Sequence, residues 1–255
     1  MTGPAVALER VRDDVAVLVL DRPERGNALS AELVEALLEG LERVFADRAV
    51  NTLVLRSSGR HFCTGFDLTD LDAESDASLL ARFVRVETLL DAVWRAPVRT
   101  VAIGHGRIMG AGADLFAACD LRLLVPGASL RFPGAGFGIV LGTRRLAERV
   151  GDARAMRWVS EATTIADHEA IAAGLADAML DADAVASLAD GRTPATAAQL
   201  PPAKVDRDTL AALRCAMRDR SADADLAALV RSAARPGLKA RVETYRAAQL
   251  AGRGR

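Results

Sequence analysis

No apolar run in this 255-residue chain is long enough to cross a bilayer, which argues against a membrane role. Lys+Arg 33 against Asp+Glu 34 leaves a net charge of -1, so the chain has no global basic footprint for nucleic acid. Its three cysteines, Cys63, Cys119 and Cys215, are far apart and form no CxxC pair. Met1-Thr2-Gly3-Pro4 also lacks the charged-then-apolar pattern of a secretory leader, so a reducing, cytoplasmic setting is expected. His61, His105 and His168 are not grouped at ligand spacing, and no metal is expected. Gly104-His105-Gly106 with Gly110 has the wrong spacing for a dinucleotide fingerprint, which disfavours a nucleotide-dependent oxidoreductase. What the chain does have is 51% hydrophobic residues, enough to bury a sizeable core as one domain or one domain plus an appendage.

The apolar run Val15 to Leu20, bounded by Asp14 and by Asp21-Arg22-Pro23, predicts a buried strand. Ser30 is a good N-cap for a helix over Ala31 to Phe45, with Leu33, Leu37, Leu38, Leu41 and Val44 at helical spacing. Further strands over Thr52 to Arg56, Thr100 to Ile103 and Leu121 to Val125 alternate with helices over Ser78 to Arg95 and Ala111 to Ala118, an α/β layout. From Gly151 the pattern turns helical, over Ala153 to Val159 and Asp167 to Ala173. A boundary is expected near Pro201-Pro202. Beyond it, Asp206 to Arg231 and Leu238 to Leu250 read as two or more helices, broken at Arg235-Pro236-Gly237.

Two glycine-rich stretches carry the chemistry. Gly59 to Leu68 and Gly104 to Asp114 each follow an apolar β-type run and end in glycine-rich backbone just before residues that can open a helix. Such backbone leaves N–H groups pointing outward, where a developing negative charge can sit. Asp114 lies three residues after Ala111, one helical turn along on the same face. Cys63 beside this region has no neighbouring base in the sequence and reads as a small buried thiol.

Five motifs in order, Leu20-Asp21-Arg22-Pro23 with Asn27-Ala28-Leu29-Ser30, Phe62-Cys63-Thr64-Gly65-Phe66-Asp67-Leu68, Gly110-Ala111-Gly112-Ala113-Asp114-Leu115, Ala118-Cys119-Asp120-Leu121-Arg122 and Gly142-Thr143-Arg144-Arg145-Leu146, resemble the enoyl-CoA hydratase/isomerase (crotonase) superfamily. The resemblance implies a ββα spiral core over residues 1–200 and a helical trimerisation region over 201–255. It further implies an acyl-CoA substrate, no cofactor beyond the coenzyme A of that substrate, and a homotrimer or dimer of trimers. By motif position it assigns the oxyanion-hole donors to the N–H groups of Phe66 and Ala111 and a general acid or base to Asp114, one methylene shorter than the usual glutamate. Arg25, Ala28, Gly65, Asp67, Leu68 and Gly110 fall on substrate-binding positions, and Thr244 stands where a coenzyme-binding lysine is common.

The second carboxylate of family hydratases is missing. One alignment puts Gly134 at its position and an ungapped one puts Arg131 there; both remain open. Alkene hydration needs one group to activate water and another to manage the α proton. Hydration is therefore joined by isomerisation, decarboxylation or hydrolysis of a CoA thioester through one carboxylate, and by a non-catalytic acyl-CoA-binding homologue.

Overall fold

A computed structural model describes residues 5–193, 205–218 and 222–253. The main sheet has six strands in the order β1-β2-β3-β4-β6-β9: β1 (Val6–Arg12), β2 (Val15–Leu20), β3 (Thr52–Ser57), β4 (Arg99–Gly104), β6 (Leu121–Leu124) and β9 (Ala178–Met179). Only the β1–β2 pair is antiparallel. Strands β2 and β3 are buried along their whole length, as expected of parallel strands covered on both faces. A second, three-stranded sheet pairs β5 (Arg107–Met109) with β7 (Ser129–Arg131), and β7 with β8 (Ile165–Ala166).

Helix α1 (Ala31–Ala46) starts where expected, because the Ser30 hydroxyl accepts the Leu33 N–H. It packs Leu33, Leu37 and Leu41 into the large core on one face of the sheet. Helix α2 (Asp76–Trp94) begins earlier than its apolar periodicity suggests, since Ser75 and Ser78 form a reciprocal capping box. Helix α3 (Ala111–Ala118) is buried at every residue, and α4 (Thr143–Val150) follows the Gly142 turn. Farther on, Asp152–Ser160, Asp167–Ala172, Ala182–Ala189, Arg207–Arg218, Ala222–Ala233 and Leu238–Arg253 are helical. The last two pack Leu229, Ala233, Leu238 and Val242 against Leu79 and Phe83 of α2 and Ile139.

The expected strands and helices up to Ala118 are present with ends shifted by one or two residues. Strands β1, β5, β7, β8 and β9 are additions that periodicity did not predict. β1 is a half-exposed edge strand with charged residues, and the others are two or three residues long, too short to show a period. The expected boundary at 200/201 lies outside the described residues. Among the described residues no helix is long and apolar enough to cross a membrane.

Candidate active site

The two glycine-rich stretches lie side by side. The Phe62 N–H donates to the His105 carbonyl at 2.9 Å and the Met109 N–H to the Cys63 carbonyl at 2.9 Å, so the segment after β3 runs beside β5 as a short parallel bridge. A third segment braces them from behind: the Thr64 N–H donates to the Gly26 carbonyl and the Leu29 N–H to the Gly65 carbonyl. Buried Asn27 locks that brace, its amide donating to the carbonyls of Ser58 and His61 and its oxygen accepting the Arg22 N–H.

Two glycines make the close approach possible. Gly65 has φ +97°, and a Cβ there would stand 2.8 Å from the Met109 carbonyl oxygen and 3.7 Å from the Ala111 nitrogen. Gly112 lies on Cys63, where a Cβ would meet Sγ at 2.6 Å. That packing, with no activating base, explains Cys63: full burial pushes its thiol up to about 12. Cys119 is equally buried, whereas Cys215 is exposed. In the native protein one thiol, Cys215, is expected to react promptly with a water-soluble disulfide reagent; rapid titration of two or more would contradict this packing.

Neither the Phe66 nor the Ala111 N–H donates to a backbone or side-chain acceptor among the described residues, although one chain neighbour of each does. Asp67 N–H donates to the Leu29 carbonyl and Gly110 N–H to the Arg131 carbonyl. Both donor residues line one cavity of about 920 Å³. Ala111 opens α3, so the helix dipole adds positive potential at its N–H.

Asp114 lines the same cavity from the first turn of α3 and is 6% exposed. Its carboxyl presses on the Gly142 turn, where a Cβ would collide with it; Gly142 has φ +65°. Burial raises its pKa well above the ordinary carboxylate value, the negative charge of Glu87 adds to that rise, and Arg145 partly offsets it. Glu87 on α2 and Arg145 on α4 form a buried pair behind it, at 2.6 Å and 3.1 Å, with Asp91 and Asp225 each 3.5 Å from Arg145. This pair was not legible as functional, but a signal exists: Glu87 stands four residues after Phe83 and three before Leu90, on the apolar face of its helix.

Arg25, Gly65, Leu68 and Gly110 also line the cavity, as do Arg131 and Gly134. Ala28 and Asp67 do not. Ala28 is buried in the brace, and Asp67 accepts from the backbone N–H and hydroxyl of Thr69 and faces Arg22 at 3.6 Å. Thr244 is exposed and donates its hydroxyl to the Ala240 carbonyl, while its neighbours Tyr245 and Arg246 line the cavity. Asp114 is the one acidic side chain among the described residues lining it. The described residues contain no metal-ligating cluster of His, Cys, Asp or Glu.

Two unpartnered N–H groups and one buried carboxyl share a cavity with Arg25, Arg107, Arg131 and Arg246 in its lining, a constellation suited to stabilising negative charge on a carbonyl oxygen. A model of the enoyl-CoA hydratase/isomerase family matches residues 10–229. The chain is 35% identical over 191 residues to a probable enoyl-CoA hydratase of Mycobacterium leprae, covering 71% of this chain and 75% of that protein. It is 31% identical over 182 residues to the ethylmalonyl-CoA decarboxylase of Mus musculus, covering 70% of this chain and 56% of that protein. Among solved structures, one assigned to the enoyl-CoA hydratase/isomerases of Bordetella parapertussis superposes with a TM-score of 0.84 at 43% identity, covering 95% of this chain and 98% of that one. The chain therefore belongs to the enoyl-CoA hydratase/isomerase family, and it is an acyl-CoA thioester enzyme of that type.

Proposed function

We propose that this enzyme forms a thioester enolate and moves a single proton through Asp114, shifting the double bond of an enoyl-CoA instead of hydrating it. The observation that carries this reading is that Asp114 is the only acidic side chain among the described residues lining the cavity. The substrate carbonyl oxygen lies between the N–H groups of Phe66 and Ala111. Asp114 takes the α proton, the C–H electron pair passes into the enolate, and the extended enolate recovers the proton at the γ carbon. Each N–H is worth roughly 3 kcal/mol of transition-state stabilisation. Hydration asks for a second carboxyl to activate water, and neither Gly134 nor Arg131 offers one. In this reading the substrate brings its own coenzyme A and no separate cofactor is required; Arg25 lines the cavity, and its guanidinium suits the coenzyme's phosphates. The family resemblance further supports a cytoplasmic homotrimer or dimer of trimers.

A second reading has one specific observation behind it. Burial favours the neutral form of Asp114, which suits delivery of a proton more than its removal. In that case a malonyl-type thioester loses carbon dioxide: the bond from the α carbon to the carboxylate breaks, its electrons form the enolate, and Asp114 protonates the α carbon. The decarboxylase of Mus musculus supports this alternative.

The pH profile of kcat separates the two. Isomerisation needs ionised Asp114, so its rate rises with pH through the raised pKa; decarboxylation needs the protonated acid, so its rate falls. Assays with a β,γ-enoyl-CoA and a malonyl-type CoA supply the profiles, and turnover of neither would defeat the enolate mechanism.

A further inference from the structure

Aromatic residues are scarce in this chain, at seven Phe, two Trp and one Tyr, yet Phe66, Phe83, Phe132, Phe137 and the sole Tyr245 all line the one cavity. We propose that the acyl group this site prefers is aromatic: an aryl-alkyl or aryl-alkenyl thioester of coenzyme A. The proposal rests on the cavity being the acyl-thioester site.

The rings form a continuous wall that begins at the oxyanion hole. Phe66, whose N–H is one of the two donors, stacks on Phe83 with centroids 4.2 Å apart and planes 18° apart. Phe137 follows at 6.4 Å from Phe83, and Tyr245 at 5.0 Å from Phe137. Phe83 cannot turn away, because Leu71, Leu79, Ile139, Leu229 and Val242 pack around it. The faces of Phe66 are taken by Phe83 and by the Arg82 guanidinium, 4.3 Å from its centroid, and Phe83 is 2% exposed, so the ring surface open to an acyl chain is the rim of Phe66 and the half-buried rings of Phe137 and Tyr245.

Gly134 opens the same stretch of wall, three residues before Phe137. Gly134 carries no side chain, and a Cβ there would meet only the Ile139 carbonyl oxygen, at 3.6 Å. An alkyl chain would gain only its buried area in such a slot. An aromatic group buries less area per carbon but adds offset or edge-to-face ring contacts, worth roughly two- to tenfold in affinity for each good pair. The bare backbone at Gly134 then has a positive consequence, because the volume a side chain would occupy there is available to substrate.

Calorimetric binding of two unreactive thioesters of equal carbon count, 3-phenylpropanoyl-CoA and nonanoyl-CoA, tests this. The aromatic ligand is expected to bind roughly tenfold more tightly. Phe137→Leu should remove most of that margin while leaving nonanoyl-CoA within about twofold. Gly134→Val, on a surface turn, should weaken the aromatic ligand more than the alkyl one. Equal binding, or tighter binding of nonanoyl-CoA, overturns the aromatic preference and leaves the enolate reading intact. Failure of both thioesters to bind overturns both.

Discussion

Asp114→Asn is expected to lower kcat by roughly 10²- to 10⁴-fold, the usual worth of a positioned general acid or base, with little change in KM. The substitution keeps the shape of a side chain wedged between α3 and the Gly142 turn, so the fold survives. It is also expected to stabilise the protein at neutral pH. The folded-state pKa of Asp114 is raised above its unfolded value, so the folded state holds the proton more tightly. The sign follows: this carboxyl is harmless to stability below the ordinary aspartate pKa, and its cost grows as pH rises towards the raised value. Asn carries no such cost. Denaturant midpoints for both proteins should nearly coincide in acid and separate towards neutrality, with the variant above. Full turnover by the variant would remove Asp114 from the chemistry, and midpoints that separate in the opposite sense would contradict the upward shift of its buried carboxyl.

The largest stability effect is expected at Arg145→Met. Arg145 is fully buried, and its guanidinium sits against Glu87 with Asp91 and Asp225 close by. Removing the cation strands the buried Glu87 carboxylate, a loss of about 3–5 kcal/mol. Burial already raises the pKa of Glu87, and without Arg145 that rise grows. The paired replacement Glu87→Leu with Arg145→Met removes both buried charges and should recover much of the loss. Urea unfolding of the single and double variants measures both. A single variant within about 1 kcal/mol of the parent would show that the remaining groups tolerate the bare carboxylate. The ion pair joins α2 to α4, and both of its charges act on the Asp114 carboxyl.

Much of this was readable from residues alone, for identifiable reasons. Val15 to Leu20 is wholly apolar and Ala31–Ala46 has a clear helical period closed by a Ser cap, so both elements form where local pattern says they should. The two glycine loops were legible because a backbone donor site requires glycine at fixed places beside a helix start, and Gly65 and Gly112 meet that requirement through their close contacts. The strands Arg107–Met109 and Ser129–Arg131 were not, since three residues show no periodicity and their pairing is decided by the chain around them. Ala28 and Asp67 sit on motif positions but brace the loop from behind, a distinction that depends on which way the chain turns at Asn27, φ +53°. Glu87 and Arg145 were not legible as a pair: the apolar face of its helix hints that Glu87 is buried, but its partner on another helix is set by tertiary packing.

The placement of the two donors also governs when the site comes into being. The Phe66 N–H belongs to the segment that follows β3 and the Ala111 N–H to the segment that follows β4, and these two strands are parallel neighbours with α2 between them in the chain. Neither segment alone can surround an oxygen. Parallel pairing demands a long crossover whose closure entropy is met before any contact rewards it. The site thus has no local precursor in the unfolded chain, and catalytic competence arises as a topological event, at the moment β3 and β4 meet.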